Sequence, residues 1–471
     1  MMKKILGLLI ILLIFSSCLY LGIQSLKEER NLFKAHFNDI VGRYIPTNTQ
    51  HDMNLKILKS SNKVSSSAID AIKYLHVRKS DLKLNFNKDV AFEYNGKPFN
   101  ISFFKAPFLN YKGNKLELGN SYIDTHQDQL LIVQENGLFF SVQIDEFVGN
   151  SVLNVQHIES NIIDFISYFE FFSMSKFGLK DILVVQDRLY VSIIFEKESR
   201  CFTNSILVSQ IGEILEFNEF FTIPDCIKQH ESEEFNAHQT GGKMDIFDDE
   251  HIVLSTGDFR SRWLAQDSES LFGKILKINT SNSTAIPLAK GTRNAQGIFV
   301  DKEENQIWLT EHGPQGGDEI NLLDLNNEDI NFGWPISSYG GHYGHSKVNQ
   351  SGDLYEIRDR SVYKKFPLHK SHKDYGFTEP IKYFVPSIGI SDIVKINEFS
   401  SLRDSFFIVG AMGRPDNATD QDMSLSLFEW KQNQIENFKT VRIGERVRDF
   451  TVLENKVFFT TESNALIGLL E

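Results

Sequence analysis

The chain has 471 residues, of which 41% are hydrophobic, and its formal net charge at pH 7 is −13. This length suits two or three average domains, or one large all-β fold with a sizeable core. The acidic balance argues against nucleic acid as a partner, because phosphate binding needs a basic face.

The N-terminal segment is apolar. Lys3 and Lys4 precede an uncharged run, Ile5–Ile23, which is just long enough to span a bilayer as a helix. Because these lysines favour a cytoplasmic N-terminus, we expect residues 1–24 to anchor the protein in the inner membrane, with the remainder on the exported, periplasmic side. The alternative is a signal peptide, and residues 15–18 (FSSC) loosely match a lipoprotein cleavage box, so a lipoprotein or secreted form stays open.

Residues 25–90 show weak patterning, with scattered Ser, Asn and Lys and one candidate helix at 67–74. We interpret them as a juxtamembrane stalk with a short helical element. Beyond the apolar segment the only cysteines are Cys201 and Cys226. In an oxidising compartment they could pair, and two free buried thiols are the alternative.

From about residue 120 onward one pattern recurs six times: a turn followed by a strand, about every 50–60 residues with one longer interval. The six copies are DQLLIVQ (128–134), DRLYVSI (187–193), EHIVLSTGD (250–258), NQIWLTEHG (305–313), DSFFIVGAM (404–412) and NKVFFTTES (455–463). A strand-based repeat of this period predicts an all-β, six-bladed β-propeller over residues 91–471, closed by pairing of its terminal strands. A β-sandwich or two smaller β domains is the alternative.

The longest interval separates the fourth and fifth copies. It contains a Gly-rich aromatic stretch that begins at GWP, followed by the basic-aromatic stretch RSVYKKFPLHKSHKDYGF. Long loops within compact domains are usually functional or disordered. We therefore expect this segment to cover a site.

Several polar residues occupy matching positions in separate repeats. The start of one strand and the end of its hairpin partner lie at the same end of the hairpin. If GGKMDIF, QGIFV and RVRDFTV are inner strands, one mouth of the channel is lined by seven residues: His238, Asp258, Arg293, Asn294, His312, Arg446 and Arg448. Singly, each has a structural alternative: a capped surface histidine, a turn-forming aspartate or a solvated strand face.

The motifs HQTGGKMDIF…STGD, GKILKIN, TRNAQGIF, TEHGPQGGDEINLL, NFGWP and ERVRDF, in this order, resemble the soluble-type sugar dehydrogenases that depend on pyrroloquinoline quinone (PQQ). This is the glucose/sorbosone and aldose sugar dehydrogenase family. The resemblance is strong over about 235–335, fair at 440–463 and weak before 175. Members of the family are six-bladed propellers, in agreement with the repeat.

The resemblance implies a role for each candidate. His238 would be the general base that takes the proton from the anomeric hydroxyl, and Asp258 would hold its imidazole in the correct tautomer. Cofactor contacts would come from four further residues: Asn294, His312, Arg446 and Arg448. Arg293 would bind the quinone and polarise the carbonyls that accept hydride, and the two later arginines would pair with PQQ carboxylates. The backbone carbonyls of Gly313 and Pro314 would help to hold calcium.

We therefore expect an exported, membrane-anchored quinoprotein that oxidises an aldose at the anomeric carbon and passes electrons to a respiratory-chain acceptor. Two alternatives are a non-catalytic propeller that binds carbohydrate or protein and a calcium-dependent, lactonase-type hydrolase. The chain departs from the family at three places. Arg414 stands near the position of a family lysine, Ala237 stands where some glucose-oxidising members carry an acid, and Lys180-Asp181 replaces an early His-Pro-Asp motif. The identity of the sugar stays open.

Overall fold

The computed structural model describes residues 82–109, 121–135, 137–166, 178–230, 234–343, 346–348, 354–356, 364–397, 405–413, 421–462 and 464–471. The predicted membrane segment Ile5–Ile23, the candidate helix at 67–74 and most of the stalk lie outside these ranges. Within them, no helix has the length and apolar character needed to cross a membrane.

The described part consists of β-strands joined by short turns. The strands of the first half are β1 (Lys83–Tyr94), β2 (Lys97–Lys105), β3 (Ser121–His126), β4 (Gln129–Gln134), β5 (Phe139–Gln143), β6 (Val152–Asn154), β7 (Gln156–Ser160), β8 (Leu179–Val185), β9 (Arg188–Glu198), β10 (Cys201–Gln210), β11 (Ile214–Leu215), β12 (Asn218–Thr222), β13 (Ile227–Lys228), β14 (Gly241–Asp248) and β15 (His251–Thr256).

The second half continues the same alternation of strand and turn. Its strands are β16 (Lys274–Asn279), β17 (Ala285–Lys290), β18 (Ala295–Asp301), β19 (Gln306–Glu311), β20 (Asp318–Asp324), β21 (Ile330–Asn331), β22 (Ser346–Val348), β23 (Leu354–Glu356), β24 (Lys382–Phe384), β25 (Ile390–Ile396), β26 (Phe406–Ala411), β27 (Ser424–Lys431), β28 (Gln434–Arg442), β29 (Val447–Leu453), β30 (Lys456–Thr461) and β31 (Leu466–Leu470). Short 3₁₀ helices lie at Pro107–Leu109, Ile144–Phe147, Ile162–Asp164, Arg262–Ala265 and Lys373–Tyr375.

The strands form the six blades of a propeller. Blades 1 to 5 are built outward from β3, β8, β14, β18 and β25, and blade 6 is built outward from β29. Each inner strand packs against the next, and β29 packs against β3, so the ring is closed. The six recurrent strands read from the sequence are β4, β9, β15, β19, β26 and β30, the second strand of every blade. The predicted fold is confirmed.

Blade 6 closes the ring by joining distant parts of the chain. Strands β29, β30 and β31 are extended by β2 and β1, and antiparallel pairing places Ile101 opposite Leu470. Because β1 begins at Lys83, the sheet starts inside the segment 25–90 that the sequence assigned to the stalk. Terminal-strand closure is thus present, with the blade beginning before residue 91.

Phenylalanines fill the space between blades. The rings of Phe99 and Phe406 meet edge to face at 6.0 Å between blades 6 and 5, and Trp308 packs against Phe407 at 4.4 Å between blades 4 and 5. These aromatic contacts account for the high phenylalanine content. In blade 2 a disulfide joins Cys201 to Cys226, which selects the first of the two alternatives that the sequence left open.

Buried and half-buried aspartates connect neighbouring inner strands to one another. Each carboxylate accepts a hydrogen bond of 2.6–3.1 Å from a backbone N–H of the next blade. The pairs are Asp124 with Val184, Asp181 with Met244, Asp245 with Val300, Asp392 with Phe450 and Asp449 with Ile123. These bonds satisfy backbone donors that would otherwise be buried without partners.

Lys243 ties three of these aspartates together in the channel. Its Nζ lies 3.1 Å from Asp181 Oδ1 and 3.0 Å from Asp392 Oδ2, and it also contacts Asp449 Oδ1. Burial opposes the charge of Lys243, but the three carboxylates raise its pKa well above the usual value. Burial also raises the pKa of Asp392 to about 7. A single cation therefore links blades 2, 3, 5 and 6.

Candidate active site

The segments that carry the predicted site residues meet at one end of blades 3, 4 and 6. The backbone N–H of Asp258 donates to the carbonyl of Arg293 at 3.1 Å, and that of His312 donates to the carbonyl of Asn294 at 3.2 Å. Arg448 NH1, from blade 6, reaches Gln296 Oε1 of blade 4 at 3.2 Å. Inner strands of separate blades thus bring these segments to one mouth of the channel.

Arg293 lies against the tight turn that follows β19. Its NH1 donates to the carbonyls of His312 at 2.7 Å and Gly313 at 2.8 Å, and its guanidinium lies 5.3 Å from the centre of the Trp334 ring. A Cβ at Gly313 would overlap the Gly317 carbonyl oxygen, so only glycine fits this turn. Nε of Arg293 is buried and has no hydrogen-bond partner among the described residues. The protein's own contacts therefore leave one donor of the guanidinium unsatisfied.

Asp258 is completely buried at the end of the β14–β15 hairpin. Its Oδ2 accepts from Trp334 Nε1 at 2.7 Å, and its Oδ1 accepts from the backbone N–H of Arg260 at 2.8 Å. Burial raises the pKa of this carboxyl, and the nearby Arg293 opposes the rise. The carboxylate is thus held rigidly by an indole and by the turn that follows it.

His238 is exposed on the segment that precedes β14. The backbone N–H of Phe259 donates to the carbonyl of Gln239 at 2.8 Å, so His238 and Asp258 lie on paired segments. The backbone N–H of His238 donates to Asn236 Oδ1 at 2.9 Å. The predicted hydrogen bond between the His238 ring and Asp258 stays a prediction.

Asn294 joins the starts of two inner strands. Its Oδ1 accepts from the backbone N–H of Gly241 at 3.0 Å and from Gln296 Nε2 at 3.1 Å. Because the side chain is 5% exposed, these bonds fix the amide. Asn294 therefore locks the start of β14 to the start of β18.

His312 is uncharged at neutral pH. Burial, together with the positive charge of Arg448 and its neighbours, lowers the pKa of His312 to about 4. Its Nδ1 lies 3.9 Å from Asp318 Oδ1. Asp318 itself accepts from the backbone N–H of Gly313 at 3.1 Å and of Ile390 at 3.0 Å, so this acid supports the turn.

Arg446 and Arg448 share one carboxylate, that of Glu462. Arg446 Nε donates to Glu462 Oε2 at 2.9 Å, and Arg448 NH2 contacts Glu462 Oε1. Burial, and next to it the charge of Arg446, lowers the pKa of Arg448. Arg448 Nε is buried with no hydrogen-bond partner in the described part of the chain. The arginine pair is therefore bridged and oriented, and one donor is still available.

A small, partly open cavity lies beside the Gly313-Pro314 turn, and the carboxyl groups of Glu311 and Glu319 line it. Burial, and second the neighbouring Glu319, raises the pKa of Glu311 to about 8. Glu311 Oε2 is buried and accepts no hydrogen bond from any described residue. His372 also lines the cavity, with Nδ1 2.8 Å from the Phe332 carbonyl and Nε2 3.4 Å from Glu319 Oε1.

No group of three or more His, Cys, Asp or Glu side chains within the described ranges is arranged to hold a metal. A cation at the predicted position would rely on carbonyl oxygens of the turn together with the free oxygen of Glu311. Hard cations such as calcium prefer oxygen ligands of this kind. The donor set fits calcium, although the Gly313 carbonyl already accepts from Arg293.

An aromatic and cationic cluster at the mouth was not singled out from the sequence. The Tyr343 ring is 45% exposed, and the guanidiniums of Arg260 and Arg293 lie 4.9 Å and 5.8 Å from its centre. Arg293 NH2 also lies 3.5 Å from the Tyr343 hydroxyl. The signal was present in the run DFRSRW, which places two arginines directly after Asp258.

The structure describes two of the three departures noted in the sequence, Lys180 and Ala237. Arg414 lies outside the described residues. Lys180 lies at the start of the inner strand of blade 2, and burial lowers its pKa to about 8. Ala237 is buried beside His238.

Comparison with known proteins gives the same picture of the family and the fold. The family model described as glucose/sorbosone dehydrogenase matches residues 124–469. Aldose sugar dehydrogenase YliI of Escherichia coli K12 is 32% identical over 192 residues, which are 37% of this chain and 46% of that protein. The uncharacterized protein slr1608 of Synechocystis is 26% identical over 234 residues, 44% of this chain and 50% of the relative. The chain spans about half the length of these curated relatives.

Solved structures are similar in fold. The crystal structure of soluble aldose sugar dehydrogenase from E. coli, in its apo form, has a TM-score of 0.56 at 18% identity, covering 76% of this chain and 96% of that one. A crystal structure of glucose dehydrogenase has a TM-score of 0.55 at 19% identity, covering 75% and 96%. At these identities the likeness concerns the fold alone.

Proposed function

This chain is a member of the glucose/sorbosone dehydrogenase family, and from that premise we propose that it is a PQQ-dependent sugar dehydrogenase that oxidises an aldose at the anomeric carbon. The observation that carries the proposal is the set of buried and half-buried arginines at one mouth, beside a buried carboxylate. Arg293 and Arg448 each keep a buried Nε without a partner in the described ranges. Such donors suit an anionic, carbonyl-bearing cofactor.

In this proposal Arg293, Asn294, Arg446 and Arg448 hold PQQ, with His312 beside them as a neutral imidazole. PQQ, when bound, supplies the two-electron acceptor for the hydride. Arg293 directs N–H groups toward the position where negative charge develops, and its bonds to the turn carbonyls hold it there in advance.

His238 takes the proton of the anomeric hydroxyl in this scheme. Its exposure suits a base that meets a substrate from solution. Asp258 orients the imidazole, and its own position is fixed by Trp334 Nε1 at 2.7 Å. A base positioned in this way contributes about 10²–10⁴-fold to the rate.

Calcium is the second proposed cofactor. The carbonyls of Gly313 and Pro314 would hold it, and the unpartnered oxygen of Glu311 supports a further ligand there. Bound calcium would supply Lewis-acid polarisation. The chain's own contribution is to keep the turn rigid, through Asp318 and the glycine at 313.

We also propose that the protein is exported and held at the inner membrane by Ile5–Ile23, passing its electrons to a respiratory-chain acceptor. The uncharged length of that run supports an anchor. The Cys201–Cys226 disulfide supports an oxidising compartment. A lipoprotein or a secreted form is the alternative, and fractionation decides between them.

One observation favours a second function, a propeller that binds carbohydrate or protein without a cofactor. Glu462 already occupies donors of both Arg446 and Arg448. An arginine pair whose charge is partly met by its own protein has less need of an anionic ligand. The two functions differ in whether PQQ binds.

The test is reconstitution of the purified chain with PQQ, with and without calcium, followed by dye reduction across a panel of aldoses. PQQ at a hundredfold excess over Kd should stabilise the fold by ~2.7 kcal/mol. Arg448→Ala should weaken PQQ binding by ~1.5–3 kcal/mol, the range for charged hydrogen bonds. Arg188→Gln, an exposed arginine of β9, is the control. Without any PQQ-dependent rise in Tm the second function stands.

A further inference from the structure

We propose that Arg260 recognises an anionic group on the sugar, so that the substrates are aldoses with a carboxylate remote from the anomeric carbon. The inference rests on the proposed oxidation of a sugar at this mouth and adds the class of sugar. It rests on the contacts that meet the charges of Arg260, Arg262 and Arg293, and on the backbone conformation at Arg260.

The turn after Asp258 holds Arg260 in a costly conformation. Phe259 and Arg260 have φ angles of +51° and +64°, both in the left-handed region that L-residues rarely adopt. The backbone N–H of Arg260 donates to Asp258 Oδ1 at 2.8 Å, and the N–H of Ser261 donates to the Asp258 carbonyl at 2.6 Å. Non-glycine residues in this region occur in tight turns and at functional sites, where the surrounding structure enforces the conformation. Here the enforced turn brings a guanidinium to the mouth.

The arginines near this mouth differ in how their charge is met. Arg262 forms an ion pair with Glu234 at 2.8 Å and stacks on Trp334 and Phe366. Arg293 donates to two carbonyls. Arg260 forms no side-chain hydrogen bond or ion pair with any residue that the structure describes, and its Nε is buried.

The position of Arg260 fits a substrate contact. Its guanidinium and that of Arg293 contact the same exposed Tyr343 ring. Two residues earlier in the chain lies Asp258, the proposed partner of the base. A sugar that presents its anomeric carbon to His238 and Arg293 therefore has Arg260 at the edge of the same opening.

The chemistry of the Arg260 guanidinium indicates the class of ligand that it would bind. Guanidinium binds carboxylate through two parallel charge-assisted hydrogen bonds, a geometry that neutral hydroxyls do not match. A neutral aldose would leave the charge of the Arg260 guanidinium without an anionic partner. Sites built around a buried polar group discriminate strongly against analogues that lack its partner.

The experiment measures binding and turnover separately on the full chain. Dissociation constants for D-glucuronate, D-glucose and D-glucose 6-phosphate are measured by calorimetry, and kcat/KM for each is measured after loading with PQQ and calcium. The variants are Arg260→Gln and Arg260→Lys, with Arg188→Gln at the opposite end of a hairpin of blade 2 as the control. Their Tm values establish that each variant is folded.

We expect wild type to prefer glucuronate over glucose by at least about tenfold, and Arg260→Gln to reduce that preference by about tenfold to a hundredfold. Arg260→Lys should retain part of it, because the charge remains while the planar fork is lost. A preference for glucose 6-phosphate over glucuronate, also lost in Arg260→Gln, supports recognition of an anion and assigns it as phosphate.

Equal affinity for glucuronate and glucose overturns the inference, as does a preference that Arg260→Gln leaves intact. Weaker PQQ binding with an unchanged sugar preference also overturns it, because Arg260 then belongs to the cofactor. If no sugar reduces the dye while the binding preference persists, the proposed function fails and the anion site stands.

Discussion

Replacing Lys243 with methionine tests whether the channel depends on one buried cation. The side chains of Lys243, Asp181, Asp392 and Asp449 are at most 10% exposed, and Lys243 Nζ contacts all three carboxylates. Methionine preserves most of the volume, so the packing loss should stay below ~1.5 kcal/mol. The electrostatic loss should be larger, because removing one partner of a buried ion pair costs ~3–5 kcal/mol.

The loss should depend on pH. Burial raises the pKa of Asp392 to about 7, above the ordinary aspartate value of ~3.9. The folded state therefore keeps this proton to higher pH than the unfolded chain does, so stability falls as pH rises from ~4 through 7. Without Lys243 the folded pKa of Asp392 rises further, so the fall in stability extends to higher pH. The destabilisation should be ~3–5 kcal/mol at pH 8 and smaller at pH 5.

The assay is urea unfolding at pH 5 and pH 8, followed by tryptophan fluorescence with the disulfide intact. Lys277→Met is the matched control: Lys277 pairs with Asp248 at 3.3 Å, and Asp248 is 41% exposed. This exposed pair should contribute less than ~1 kcal/mol. If Lys243→Met unfolds at the same urea concentration as Lys277→Met at pH 8, the channel does not depend on its cation.

Three further predictions concern the site and the anchor. Glu462→Gln removes a negative charge from the arginine pair, so PQQ should bind roughly tenfold more tightly in a fluorescence titration; weaker binding would mean that Glu462 is needed to hold the arginines in place. His238→Gln should lower kcat by about 10²–10⁴-fold with unchanged PQQ affinity, and Asp258→Asn should lower it less. An unaltered kcat in His238→Gln would remove it as the base. The intact protein should stay in the membrane fraction at high salt, and deletion of residues 1–24 should release it; a mature chain that starts beyond residue 24 would instead show a cleaved signal.

The blades could be predicted because each is a local hairpin repeated along the chain. Period-two alternation and polar turns identified the second strand of every blade. The strands that complete blade 6 could not be found in this way, since β1 and β2 pair with strands from the far end of the ring. Buried residues are few and irregularly spaced along Lys83–Tyr94. The periodicity of the sequence therefore does not distinguish this strand from a stalk.

In the site, hairpin geometry identified residues at both ends of paired strands, such as Asp258 and His312. Glu462 directly follows β30, just as His312 directly follows β19. The repeat therefore also indicates Glu462 as a residue of the mouth. Trp334 was different, because its bond to Asp258 joins residues 76 positions apart in the chain. Lys243 lies on an inner strand. The alternation of apolar and polar residues along that strand does not show which side chains of other blades face Lys243 across the channel.

The pairing of β2 with β31 determines when the ring can close during synthesis of the chain. Lys105 pairs with Leu466, so the ring has to stay open while nearly all of the residues between them are synthesised. At ribosomal rates of about 5–20 residues per second, that wait lasts roughly 20–70 seconds. During this time the aromatic faces of β2 and of blade 1 lack their partners and need protection from aggregation. The enclosed ring is therefore a product of the completed chain.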